Sequence, residues 1–179
     1  MSKRSLLGGL LVVVIVLGSA LGRAQQSPSP TSQVTEPVLE EIKTIERKMV
    51  AVAEDFPERL YNTYRPNGKK DLDTAADILL GIADFNATGA FQFSTKQQQA
   101  AIAGAGNVPD DRNFVYVSKQ DTVRKVKESF AAVRKAIQDN PDPNNLQDWL
   151  FIISSSCQEY GRLVTYYHNN GLVPPKVQH

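Results

Sequence analysis

Histidine and cysteine are almost missing from this chain of 179 residues. It has two histidines, His168 and His179, and one cysteine, Cys157. A single cysteine cannot close an internal disulfide, so the fold rests on its apolar core whatever the compartment. Two histidines leave little for a histidine-based metal site. An excess of one charge is missing as well, since 20 Lys+Arg meet 19 Asp+Glu. That balance gives no electrostatic case for nucleic acid. Strand patterning is confined to "FVYV" at 114–117, a run too short to have an evident partner and read here as an extended segment. The one long apolar run, Leu6 to Leu17, falls short of the ~20 residues that span a bilayer.

That run has another reading. Lys3 and Arg4 precede it, and Gly22-Arg23-Ala24 supplies the small residues of a cleavage site. The pattern is that of a secretory signal peptide over 1–24, cut near Ala24, with an uncleaved anchor as the alternative. The expected location is secreted or periplasmic, with no membrane attachment after cleavage. No cysteine follows the run, which excludes a lipoprotein anchor. Loss of Lys3, Arg4 and Arg23 turns the formal charge from +1 to −2. Residues 25–34, "QQSPSPTSQV", are polar and proline-bearing and read as a disordered linker. Residues 35–179 make one domain with a core of ordinary size.

Helical periodicity organises that domain. Thr35 can cap a first helix and Pro37 suits its first turn. Val38, Ile42, Ile45, Met49 and Val52 then share one face, and Asp55-Phe56-Pro57 stops it. The stretch "PERLYNTYRPNGKK" reads as a loop. A second helix starts around Asp71–Asp73 and is apolar around much of its circumference, through Ala76, Leu79, Ala83 and Asn86 on one strip and Ile78, Ile82 and Phe85 on the next. Gly81 in its middle costs ~1 kcal/mol relative to alanine and needs a packing or site-related reason. After a helical turn at Lys96–Ile102 and a glycine-rich loop, a third helix starts at Ser118 or Asp121. It buries Val123, Val126, Phe130, Val133 and Ile137, and its basic remainder is a solvated face. A fourth runs from Leu146 to Asn169, with Leu146, Leu150, Ile153, Cys157, Tyr160, Val164 and Tyr167 as its apolar stripe. Gly171 and Pro174-Pro175 end it. Four helices without a strand partner predict an all-α fold, an antiparallel four-helix bundle.

Three phrases, "AEDFPERLYNTYRP", "ILLGIADFN" and "QEYGRLVTYYHNNGLVPP", resemble the DinB-like family of bacterial four-helix bundles, over Val38 to Pro175. The last is the most specific. The resemblance implies a divalent metal, zinc or nickel, held by three histidines. One comes from the second helix and two from the fourth, four residues apart, where imidazoles stack on one face. Those positions here are Gly81, Ser155 and Glu159, and none is histidine. No metal and no catalytic residue is therefore expected. The candidate pocket consists of Gly81, Asp84, Phe85, Ser155, Glu159 and Tyr160. It implies a non-catalytic domain that binds a small ligand or a protein partner, or that forms a homodimer.

Other chemistries compete at single residues. Metal-bearing relatives include thiol S-transferases and hydrolase-like enzymes. An enzyme reading would need a non-histidine site, with Glu159 and Asp84 as a carboxylate pair. The plainer alternative has Glu159 bonded to Ser155, Arg162 or water. Cys157 lacks a base in reach and falls on the apolar stripe, which makes it a small buried hydrophobe. Tyr160, Tyr166 and Tyr167 with Phe85 and Phe91 read as core aromatics before they read as a ligand box. Asn86-Ala87-Thr88 matches a glycosylation sequon inside a helix, where it is idle.

Overall fold

The computed structural model describes residues 30–94, 96 and 118–177. The expected signal peptide at 1–24, residues 25–29 of the expected linker, the helical turn expected beyond Lys96, the "FVYV" segment and His179 lie outside the described residues. Within them the chain is helical, with no strand. Its α-helices are α1 (Pro30–Asp55), α2 (Glu58–Tyr61), α3 (Ala75–Phe93), α4 (Lys119–Asp139) and α5 (Leu146–Asn169). Short 3-10 turns occupy Pro66–Gly68 and Pro143–Asn145. The four long helices pack side by side as a helical bundle. α3 lies against α4 and α5, and α1 lies against the same two helices.

Local chemistry sets the helix ends. Thr74 opens α3 with a capping box. Its hydroxyl accepts from the Asp77 N–H at 3.2 Å, while the Asp77 carboxylate accepts from the Thr74 N–H at 2.9 Å. Ser118 caps α4 by accepting from the Asp121 N–H at 3.1 Å. At the end of α5 the Leu172 N–H donates to the Tyr167 carbonyl and the Gly171 N–H to the His168 carbonyl, both at 3.0 Å. That is a Schellman motif, and it puts Gly171 at φ +66, where a side chain would be strained. Leu172 then packs on the core.

Burial follows the periodicity along α1, α3 and α4. Ile42, Met49, Val52, Leu79, Phe130 and Ile137 are fully enclosed. Cross-links tie α4 to the C-terminal half of α1 and the residue just past it. Lys127 pairs with Glu54 at 2.6 Å, Arg134 pairs with Glu46, and Lys119 donates to the Phe56 carbonyl at 2.8 Å. Asn140, just past α4, donates to the Phe93 carbonyl at 3.1 Å and so satisfies an acceptor at the end of α3.

Three expectations need correction. α1 begins at Pro30, so residues 30–34 are helical rather than linker, and Thr35 is a buried residue within the helix instead of its cap. Pro37 suits a first helical turn, but it stands inside α1, where an interior proline costs ~3 kcal/mol or more. Burial of Thr35 and Val38 shows that the turns around it pack on the domain. Part of the expected loop is also helical, as the single turn of α2, whose Tyr61 is fully buried.

On α5 the buried face differs from the expected stripe. That face is Trp149, Ile152, Ile153, Ser156, Leu163, Tyr166 and Tyr167. Leu150 is 50% exposed and Cys157 is exposed. The helix is rotated relative to the stripe read from the sequence, because it must face α1 and α3 together. Ser156 takes the place in the core expected for Cys157.

Aromatic side chains close the lower core. Phe56 packs edge-to-face on Tyr167, with ring centroids 5.1 Å apart, and Tyr64 does so on Tyr166 at 5.4 Å. The Tyr167 hydroxyl donates to the Asp55 carboxylate at 2.9 Å and the Tyr166 hydroxyl to the Asp73 carbonyl at 2.7 Å. Burial pushes the phenols of Tyr61, Tyr166 and Tyr167 up, and for Tyr167 the bond to Asp55 adds to the effect. A raised folded value means that this contribution to stability is complete below the unfolded tyrosine pKa of about 10 and is lost as pH rises past it. Urea midpoints are therefore expected to fall above about pH 10, and Tyr166→Phe with Tyr167→Phe should flatten that fall. An equal slope in the parent and the double variant would refute it.

Candidate functional site

Two helix faces meet to form a cleft of about 600 Å³ between α3 and α5. On α3 the lining residues are Asp77, Ile78, Gly81, Ile82 and Phe85, the positions that a 3.6-residue repeat puts on one side. On α5 they are Ser155, Gln158, Glu159 and Arg162, at the same spacing. Asp73, just before the Thr74 cap, closes one end. Phe85 stands toward the other, edge-to-face with Phe151 at 5.6 Å.

The polar end is a chain of charges. Arg162 donates from Nη1 to Glu159 and from Nη2 to Asp73, each at 2.7 Å. Arg65 stands 3.5 Å from the Asp77 carboxylate and donates to the Leu72 carbonyl, which ties the loop before α3 to its first turn. Burial works against the Arg162 charge, but Asp73 and Glu159 outweigh it and raise the guanidinium pKa. These side chains are partly exposed, so the pairs are worth about 0–1 kcal/mol each. They set the electrostatics of the cleft more than its stability.

Gly81 is exposed, and a Cβ built on it meets nothing within 4 Å. Packing therefore does not require this glycine. Gly89, one strip away, is different, because a Cβ there would come within 2.9 Å of Ile152 Cδ1. That glycine lets α3 and α5 approach.

Of the six pocket residues expected from the sequence, Gly81, Phe85, Ser155 and Glu159 line the cleft. Asp84 is exposed and outside the lining, so the carboxylate pair with Glu159 is not assembled there. Tyr160 packs against the core, with the Lys48 ammonium 6.0 Å from its ring. Asp77, Ile78, Ile82, Gln158 and Arg162 were legible as helical neighbours of Gly81 and Glu159. Asp73 was not, because it arrives through an ion pair spanning 89 residues of sequence.

The donor set does not fit the divalent metal that the resemblance implies. Gly81 has no side chain and a serine hydroxyl is a poor zinc ligand, which leaves Glu159, with one oxygen on Arg162, as a single carboxylate where the site needs three ligands. Among the described residues no three of His, Cys, Asp and Glu form a metal-holding group. His168 is exposed on the last turn of α5. Cys157 is exposed, and partial desolvation together with Glu41 pushes its thiol up, the direction opposite to thiolate activation. Asn86 of the sequon is fully buried, with its amide 3.5 Å from the Ser129 hydroxyl. What remains is an open cleft with hydrogen-bonding groups, fixed charges and an apolar floor, an arrangement suited to binding.

No protein-family model, curated protein or solved structure matches the chain.

Substituting Gly81→Ala should stabilise the protein by about 1 kcal/mol, because helix propensity improves and the new methyl meets no clash. Chemical denaturation measures this directly. A loss of stability would mean that the cleft wall is tighter than described.

Proposed function

We propose that the chain is an exported, DinB-like antiparallel four-helix bundle whose ancestral metal site has lost its ligands, and that it acts by binding a small molecule in the cleft between α3 and α5. The observation that carries this reading is the lining itself. Gly81 from α3 and Ser155 and Glu159 from α5 all face one cavity, and these are the positions where the resemblance puts a histidine triad. The closed ring of contacts among the four long helices supports the bundle arrangement. Export rests on the leader pattern at 1–24.

The cleft retains the shape of a site and has exchanged metal donors for a salt-bridged arginine. Its volume is within the ~300–1,000 Å³ typical of small-molecule pockets. Its lining contains no nucleophile held against a general base, so binding rather than turnover is the activity it supports.

Rebuilding the triad tests the mapping. The triple variant Gly81→His, Ser155→His, Glu159→His should take up zinc or nickel at one ion per chain with low micromolar or tighter affinity in a calorimetric titration. The parent should not. Stoichiometric, tight binding by the parent would defeat the vacant-site reading, and failure of a folded triple variant to bind would defeat the alignment.

A further inference from the structure

We propose that the cleft is selective for an organic cation, a small amine whose charge sits on an apolar body. This deepens the reading of the cleft as a small-molecule site and rests on it. Charge and apolar surface are sorted along the cavity. Asp73, Asp77 and Glu159 bring three carboxylates to the lining, and Arg162 brings the single cation. Arg65, partnered with Asp77 from outside the lining, reduces the negative excess without cancelling it.

The bonding pattern discriminates further. Both terminal nitrogens of Arg162 are engaged, one on Glu159 and one on Asp73. The guanidinium keeps N–H groups beyond these two bonds, but an anionic ligand that reached them would enter a lining with three carboxylates and one cation, and the charge balance opposes it. A cation meets the opposite situation. The contacts of Asp73, Asp77 and Glu159 with arginine run through one oxygen each, Oδ2, Oδ2 and Oε2. Each carboxylate thus has a second oxygen able to accept from an ammonium.

The rest of the cleft selects the body of the ligand. Ile78, Ile82 and Phe85 form an apolar strip next to the acidic end. Phe151 extends it, 60% exposed and edge-on to Phe85. From Asp77 to Phe85 the helix rises ~12 Å, at ~1.5 Å per residue. Gly81 lies between the two regions, and its missing side chain leaves the passage open. An ammonium among the carboxylates with an aromatic or alkyl tail toward Phe85 satisfies both ends.

The full chain is titrated with 2-phenylethylammonium chloride, and in parallel with sodium phenylacetate and 2-phenylethanol, at low ionic strength. Binding is followed by calorimetry and by amide chemical shifts. The amine should bind at least about tenfold tighter than the acid or the alcohol. Asp73→Asn should weaken amine binding about fivefold and Arg162→Gln, by removing the competing cation, should tighten it to a similar extent. Gly81→Leu should abolish it while circular dichroism shows the fold intact. Weaker binding by folded Arg162→Gln would overturn the charge argument, and amine binding that survives Gly81→Leu would overturn the location. Preference for phenylacetate or phenylethanol at a site blocked by Gly81→Leu would reject the cation while keeping the small-molecule reading. No binding by any of the three would reject the proposal outright, and the histidine variant would still test the mapping.

Discussion

Burial of α3 is the constraint on which the rest of the structure depends. Eleven of its nineteen residues are buried, around most of its circumference, so it has to be enclosed by other helices. α4 and α5 enclose it, and α1 completes the ring by packing on both. Small residues allow the approach. Ala75, Ala76, Ala83, Gly89 and Ala90 are all buried along α3, and the contact between Gly89 and Ile152 brings α5 close. A helix this enclosed cannot rotate without exposing large apolar surface, at about 25 cal/mol for each Å². Its one exposed strip is therefore held in place, and Gly81 and Asp84 lie on that strip.

The cleft is a consequence of that fixed geometry. α5 faces α3 with Ser155, Glu159 and Arg162, while its own core face carries Ile152, Ser156 and Leu163. The side chains that shape the cavity are thus one helical step from the side chains that hold the bundle. Arg162 links the two systems. It bridges α5 to the residue before the α3 cap, and Tyr166, a turn later, donates to the carbonyl of the same Asp73. Exposed pairs of this kind contribute little to stability. Their effect is on the field inside the cleft, where three carboxylates and one guanidinium leave a negative excess next to an apolar wall.

Much of the fold was legible from residue order. The buried positions of α1, α3 and α4 follow the hydrophobic repeat. The start of α4 at the Ser118 cap and the end of α5 at Gly171 follow capping chemistry. Legibility failed where a single helix had to satisfy two neighbours. On α5 the periodic reading favoured Leu150 and Cys157, whereas Trp149 and Ser156 are the enclosed residues. It failed also at Pro37, where a local rule for helix starts gave way to packing of the turns around it. In the candidate site, helical spacing was enough to put Gly81 with Phe85 and Ser155 with Glu159. It could not separate Asp84 from the cleft, because the choice of side depends on which neighbour α3 faces.

The sequence by itself determined the helical class, most helix limits and the absence of a histidine triad, because each of these depends on the identity and spacing of nearby residues. Only the tertiary structure decided that Asp73 joins Arg162 and Glu159, that Cys157 faces solvent, and that Asp84 and Tyr160 stand outside the cavity. Those outcomes depend on the rotation of one helix against another. That rotation is set by the sum of many contacts between residues distant in the chain, and no local pattern encodes it.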